Sequence, residues 1–165
     1  MHNNYFIASF YVRNRMRREE TIDHNIRTVW HAIARMYNQQ AAKYDLTMSM
    51  GFVLLNIDSE EGAPATKIAP MMGLEARSLT RLLKTMEEEK GLIYRKADTN
   101  DKRSVRIFLT KEGKKKKEKS REVVLKFNNC IRESISNEKL KAFFEVLQHV
   151  NHLIEKNNIY EKVII

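Results

Sequence analysis

Arg77, Ser78, Thr80, Arg81 and Lys84 put three cations and two hydroxyls within eight positions. Their shared chemistry is hydrogen-bond donation under positive charge. Guanidinium forks fit guanine edges and phosphate oxygens, and hydroxyls serve either. A second set follows at 95–106, where Arg95, Lys96, Lys102, Arg103 and Arg106 are interleaved with Asp98 and Asp101. Aspartates in such a stretch fix turns through side-chain to backbone hydrogen bonds and orient a neighbouring guanidinium. The chain shows no nucleophile paired with a base, no glycine-rich phosphate loop and no metal cluster. Binding is therefore expected rather than catalysis.

Both sets lie where the charge of the chain is concentrated. The 165 residues carry a net charge of +9, and residues 77–121 alone hold 16 Lys/Arg against 7 Asp/Glu. The remainder is electrically balanced, so the excess sits in one region and points to a polyanionic partner. The run Lys114–Lys117 covers several faces of one helical turn, so most of it is expected in solvent with one or two lysines near phosphate. The single cysteine, Cys130, fits a reducing compartment. No run approaches the roughly 20 apolar residues of a membrane span, and the first residues lack a signal peptide's order. A cytoplasmic protein without membrane association is the expectation.

Two elements must position these residues. With 42% hydrophobic residues, 5 Gly and 2 Pro, the chain is expected to be mainly α with a small β element. From Thr21, Ile22, Ile26, Val29, Trp30, Ile33, Tyr37, Ala41 and Tyr44 recur at helical spacing. Thr47 is placed to cap a second helix whose core candidates are Phe52, Val53 and Leu55. "TKIAPMMG" reads as a short helix with Pro70 in about its first turn and Gly73 at its end. In the next helix, at 76–89, Leu79, Leu82, Leu83 and Met86 form one buried stripe, which turns Arg77, Ser78, Thr80, Arg81 and Lys84 outward. "LIYRKA" and "SVRIFL" are strands joined as a hairpin through residues 98–103, and in the second Val105, Ile107 and Leu109 alternate with Arg106 and Phe108. Thr110 caps a long lysine-rich helix. Ser136 or Asn137 caps a last one with the stripe Leu140, Phe143, Phe144, Leu147, Val150 and Ile154.

This order is the layout of a winged helix-turn-helix with long N- and C-terminal helices. Residues 1–20 read as an N-terminal extension, either an arm that packs on a partner or a stretch upstream of a start at Met16. Residues 21–46 and 111–158 form a helical dimerisation region, and 47–110 a winged helix-turn-helix. The outer stripes exceed what one small winged domain covers, which favours a homodimer. Packing of both stripes within one chain is the alternative.

The segments "LTMSMGFVLLNI", "KIAPMMGLEARSLTRLLKTME" and "KGLIYRKADTNDKRSVRIFLTKEG" resemble, in pattern, order and spacing, the MarR-type transcriptional regulators over roughly residues 22–155. The most specific part is the last: a Gly-Leu-Ile strand, an Asp-x-x-Asp-x-Arg wing, a strand, and Leu-Thr-x-x-Gly. Three departures stand out. One residue more than is usual lies between Met86 and Gly91, which lengthens the helix end or forces a bulge. Glu75 holds the place of a good helix cap, and Asn100 that of a frequent basic residue.

The resemblance implies a sequence-specific binder of double-stranded DNA, a ligand-responsive repressor on a palindromic operator. The helix at 76–89 would enter the major groove. Arg103 would enter the minor groove beside Lys102, with Asp98 and Asp101 orienting the wing and Arg95, Lys96 and Arg106 near phosphates. It also implies a small amphipathic or phenolic effector, for which Trp30, Tyr37, Met48, Met50 and Met71 are the crevice candidates, a stripe that reads equally as core. No cofactor or metal is expected: His149 and His152 have no supporting ligands, and Cys130 reads as structural rather than redox-active. The competing reading is a basic winged-helix module that binds nucleic acid nonspecifically, binds RNA, or acts through a protein partner.

Overall fold

The computed structural model describes residues 16–73, 75–98 and 104–156. Among them are six α-helices and three strands: α1 (Ile22–Ala42), α2 (Met48–Asn56), β1 (Ala63–Pro64), α3 (Ala65–Met71), α4 (Ala76–Lys84), β2 (Ile93–Ala97), β3 (Val105–Leu109), α5 (Lys111–Ser134) and α6 (Asn137–Glu155). The chain divides into two compact units with the boundary between Arg121 and Glu122, inside α5. Residues 1–15 of the N-terminal extension lie outside the described residues.

In the first unit, Thr47 starts α2 as its chemistry dictates. Its backbone is extended and its hydroxyl accepts the Met50 N–H at 3.2 Å. The core then gathers Val53, Leu54 and Ile57 with Ile68 of α3, Leu79 and Leu83 of α4, Met86, and Leu92, Ile93, Ile107 and Leu109 of the sheet region. Phe52 and Leu55 are only half-buried, while Leu54 and Ile57 take fully buried places. The stretch Phe52–Leu55 is apolar on every side, so periodicity could not say which face turns inward.

The sheet is antiparallel in the order β1-β3-β2. Ile93 faces Leu109, Tyr94 faces Phe108 and Arg95 faces Ile107, which puts Ile93, Ile107 and Leu109 on the core side. Strand β1 has no sequence signature: it is two residues long and contains Pro64, tolerated because it lies at the sheet's edge. Pro70 is the sixth of seven residues in α3, not part of its first turn. It stands where the helix is about to end, and Gly73, at φ 60°, supplies the left-handed backbone that ends it.

The expected helix over 76–89 splits. Regular α-helix stops at Lys84 and residues Thr85–Glu89 form a π turn, closed by the Lys90 N–H on the Thr85 carbonyl at 3.1 Å. The extra residue before Gly91 is thus absorbed as a bulge. Met86 stays fully buried within it.

Thr110 caps α5 by accepting the Gly113 N–H at 3.0 Å, while its own hydroxyl donates to the Gly91 carbonyl at 2.7 Å. Gly113 allows this junction. A Cβ there would lie 1.9 Å from the Leu92 carbonyl oxygen. The lysines that follow do structural work. Lys116 Nζ donates to the Tyr44 carbonyl at 2.8 Å, Lys117 Nζ to the Ile57 carbonyl at 2.5 Å, and Lys114 pairs with Glu60 at 2.8 Å. Tyr44 and Ile57 follow the ends of α1 and α2, where carbonyls lack helical donors and cations are favoured.

The second unit holds the rest of α5 and α6. Ser136, not Asn137, occupies the cap position, with the Lys139 N–H 3.5 Å from its hydroxyl. Leu140 is buried, but Phe143 is 54% exposed, and Phe144, Val146 and Ile154 are exposed with it. On α1, Ile22, Ile26, Val29 and Trp30 are likewise exposed, and among that stripe Tyr37 is buried, edge-on to Phe52. Among the described residues, each stripe thus leaves large apolar side chains in solvent.

Candidate nucleic-acid interface

Helix α4 owes its orientation to Leu79 and Leu83, each 4% exposed in the core. With that face fixed, Arg77, Ser78, Thr80, Arg81 and Lys84 all stand exposed. Arg77 and Arg81 are one turn apart, about 6 Å along the axis. Thr80 donates its hydroxyl to the Ala76 carbonyl at 2.9 Å, which leaves its oxygen as an acceptor. Lys84 is loosely paired with Glu88 at 3.7 Å, both in solvent. Glu75 precedes the helix without a side-chain capping bond; its backbone carbonyl takes the Ser78 N–H instead. An open, mainly apolar cleft lies between α3 and α4, lined by Ala65, Ala69 and Pro70 on one side and Ala76, Leu79 and Thr80 on the other. The result is a rod of donors and cations raised from the surface on an apolar footing.

The hairpin distributes its charges more selectively than the sequence suggested. Arg95, exposed on β2, is held by Glu87 of the π turn, which accepts its Nε at 2.9 Å and its backbone N–H at 3.1 Å. Lys96 lies over the stacked rings of Tyr94 and Phe108, 5.3 and 5.6 Å from their centroids. Arg106 is tied into the hairpin by two partners. Its Nη1 meets Asp98 Oδ2 at 3.0 Å, its Nε donates to the Glu61 carbonyl at 2.7 Å, and its side chain is largely buried. Asp98, itself buried, therefore orients Arg106, and its N–H reaches the Ser104 carbonyl at 2.9 Å to close the base of the hairpin. Asp101, Lys102 and Arg103, with Asn100, lie outside the described residues.

The five crevice candidates occupy different environments. Met50 belongs to the core and Tyr37 is buried, with burial pushing its phenol pKa up from the ordinary value. Met48 is half-buried, whereas Trp30 and Met71 are exposed. Cys130 is an exposed free thiol on α5. Among the described residues no group of three or more His, Cys, Asp or Glu is arranged to hold a metal ion. No helix there is long and apolar enough to cross a membrane.

Sequence reasoning missed Glu87, the Asp98–Arg106 pair and the lysine contacts of α5. The surplus residue before Gly91 was the one signal for the first. The lysines of α5 reach partners more than fifty residues away, and the Asp98–Arg106 pair follows from the register of the hairpin, so no local pattern announces either.

Residues 46–105 match the MarR family. The regulator TtmR of Methylorubrum extorquens (strain PA1), an HTH-type transcriptional regulator, is 38% identical over 84 residues, which are 51% of this chain and 43% of that one. The match thus spans less than half of that relative's length. Over 128 residues the chain is 28% identical to SarZ of Staphylococcus aureus (strain USA300), also an HTH-type transcriptional regulator, covering 78% of this chain and 82% of SarZ. Among solved structures, that of S. aureus MepR in complex with DNA aligns with a TM-score of 0.74 at 23% identity, over 81% of this chain and 98% of that one. This last likeness is one of fold.

Proposed function

We propose, from the match of residues 46–105 to the MarR family, that this chain is a sequence-specific regulator of transcription that binds double-stranded DNA as a homodimer. The observation that carries the reading is the exposed face of α4, where Arg77, Ser78, Thr80, Arg81 and Lys84 stand together above buried Leu79 and Leu83. A major groove about 12 Å wide admits one such helix. Phosphate attraction from the cationic region draws the duplex in, and the Arg and hydroxyl groups read base edges.

The reading assigns Arg103 and Lys102 to the adjacent minor groove, whose narrow form concentrates negative potential around an inserted arginine. Both belong to the five residues, 99–103, that connect the closed hairpin base at Asp98 and Ser104. A two-fold pair of chains, joined through the exposed stripes of α1 and α6, would set two α4 helices about 34 Å apart on a palindromic operator. Blocking a promoter there makes the protein a repressor. A small amphipathic or phenolic effector would relieve it, with Trp30, Tyr37, Met48, Met50 and Met71 as the residues to probe. Its place of action would be the cytoplasm, with the DNA.

Selection of bound duplexes from a random pool tests this. A palindromic consensus is expected. On that consensus Arg81→Ala should cost about 1–3 kcal/mol and relax the base choice at one position. Log affinity should also fall linearly with log salt. Pools that return no consensus, with equal losses on every sequence, would refute sequence-specific regulation.

A further inference from the structure

We infer that Glu87 is a specificity-determining positioning residue: it fixes the angle between α4 and the wing, and so the spacing between the bases that each one reads. The inference rests on the DNA-binding reading above and goes beyond it.

The three glutamates of the π turn have separate fates. Glu88 stays on the helix surface with Lys84, and Glu89 accepts the Thr85 hydroxyl at 3.2 Å. Glu87 instead leaves the helix and crosses to β2. One carboxylate oxygen accepts the Arg95 backbone N–H at 3.1 Å and the other takes Arg95 Nε at 2.9 Å. Each bond does a different job. The backbone bond holds the strand itself, and the ion pair holds the side chain that projects from it. The pair is partly shielded, with 37% of the Arg95 side chain and 29% of the Glu87 side chain exposed. A charge-assisted bond in such a setting is stronger than one in open solvent.

The π turn sets up this crossing. It inserts one residue while Met86 stays anchored in the core, and the Leu92 N–H returns to the Met86 carbonyl at 2.8 Å. The polypeptide leaving α4 is therefore pinned at Met86, and Glu87, the next residue, grips the outgoing strand. From Arg95, β2 runs on about 7 Å to Ala97 at the usual strand rise. Its end leads to the residues assigned to the minor groove. A small rotation at Arg95 is enlarged at the far end of that arm, whereas α4 is seated independently by Leu79 and Leu83. Loss of Glu87 should thus leave reading by α4 intact and disperse reading by the wing.

The test uses the full chain and the duplex selected by wild type, beside a duplex with the same core but scrambled flanks. In wild type, intact flanks raise affinity over scrambled ones. Glu87→Ala should reduce that advantage by about tenfold, the scale of one charge-assisted hydrogen bond, with affinity for the scrambled duplex within about twofold. Glu87→Gln keeps an acceptor for the Arg95 N–H and should retain part of the advantage. Without DNA, the Arg95 Nε–H NMR signal should lose its protection from exchange in Glu87→Ala. An unchanged flank advantage, equal losses on both duplexes, or an Arg95 signal indifferent to the substitution would overturn the inference. A wild-type chain that selects no duplex would defeat the DNA-binding reading first, while the Arg95 signal still reports the Glu87 contact by itself.

Discussion

Single atoms decide several features of this protein. The hydrogen of Gly113 is one. The N-terminal turn of α5 approaches the backbone just before β2 so closely that a methyl group would meet the Leu92 carbonyl oxygen at 1.9 Å. That carbonyl also accepts the Thr110 N–H at 3.0 Å, so it cannot retreat without breaking that bond. Alanine normally stabilises a helix by about 1 kcal/mol over glycine. Here Gly113→Ala should destabilise instead, by about 3 kcal/mol, as overpacking against rigid backbone does. Thermal unfolding checks the sign, with a fall in Tm of several degrees expected. Arg106 carries the opposite lesson. Its charge says nothing of a role inside the fold, yet its guanidinium is a strut between Asp98 and the Glu61 carbonyl.

At the scale of elements, the helices were legible and their seams were not. The stripe Leu79, Leu83 and Met86 fixed the outward face of α4, and Thr47, Thr110 and Ser136 fixed three helix starts, because those signals lie within a turn of what they control. Strand β1 and the contacts of Lys116 and Lys117 depend on partners far along the chain, which local periodicity does not encode, whereas the surplus residue before Gly91 signalled the bulge that the π turn makes. The candidate site divides in the same way. The α4 face could be read from sequence, whereas the hold of Glu87 on Arg95 could not. The turn after α2 makes a related prediction. Asp58 accepts the N–H groups of Glu61 and Glu60, which hold its carboxyl below the ordinary value of 3.8. Lys90 does the same for Asp45, through two contacts of 2.7 Å. Carboxyls lowered in the folded state stabilise it fully above their unfolded pKa. That contribution is lost as pH falls through the folded values. Thermal midpoints should thus decline below about pH 4. Asp58→Asn should have a lower midpoint than wild type at pH 7 and converge on it under acid, a comparison that scanning calorimetry makes directly.

For the whole molecule, the unspent apolar surface matters most. Monomeric proteins rarely leave such stripes in water. Those on α1 and α6 contain Ile22, Ile26, Val29, Trp30, Phe143, Phe144, Val146 and Ile154. If a second copy covers them, Phe144→Glu should shift the protein to monomer in sedimentation and weaken operator binding. The loss should be larger on a two-half-site duplex than on a single half-site. A monomeric wild type would contradict this reading.

Trp30 is the only tryptophan in the chain, and it is 48% exposed on the bare side of α1. Excited at the indole edge, the protein therefore carries one lamp, lit at one address. Its emission should move to shorter wavelength as concentration rises and the indole leaves water, tracing subunit pairing by dilution alone, without dye or label.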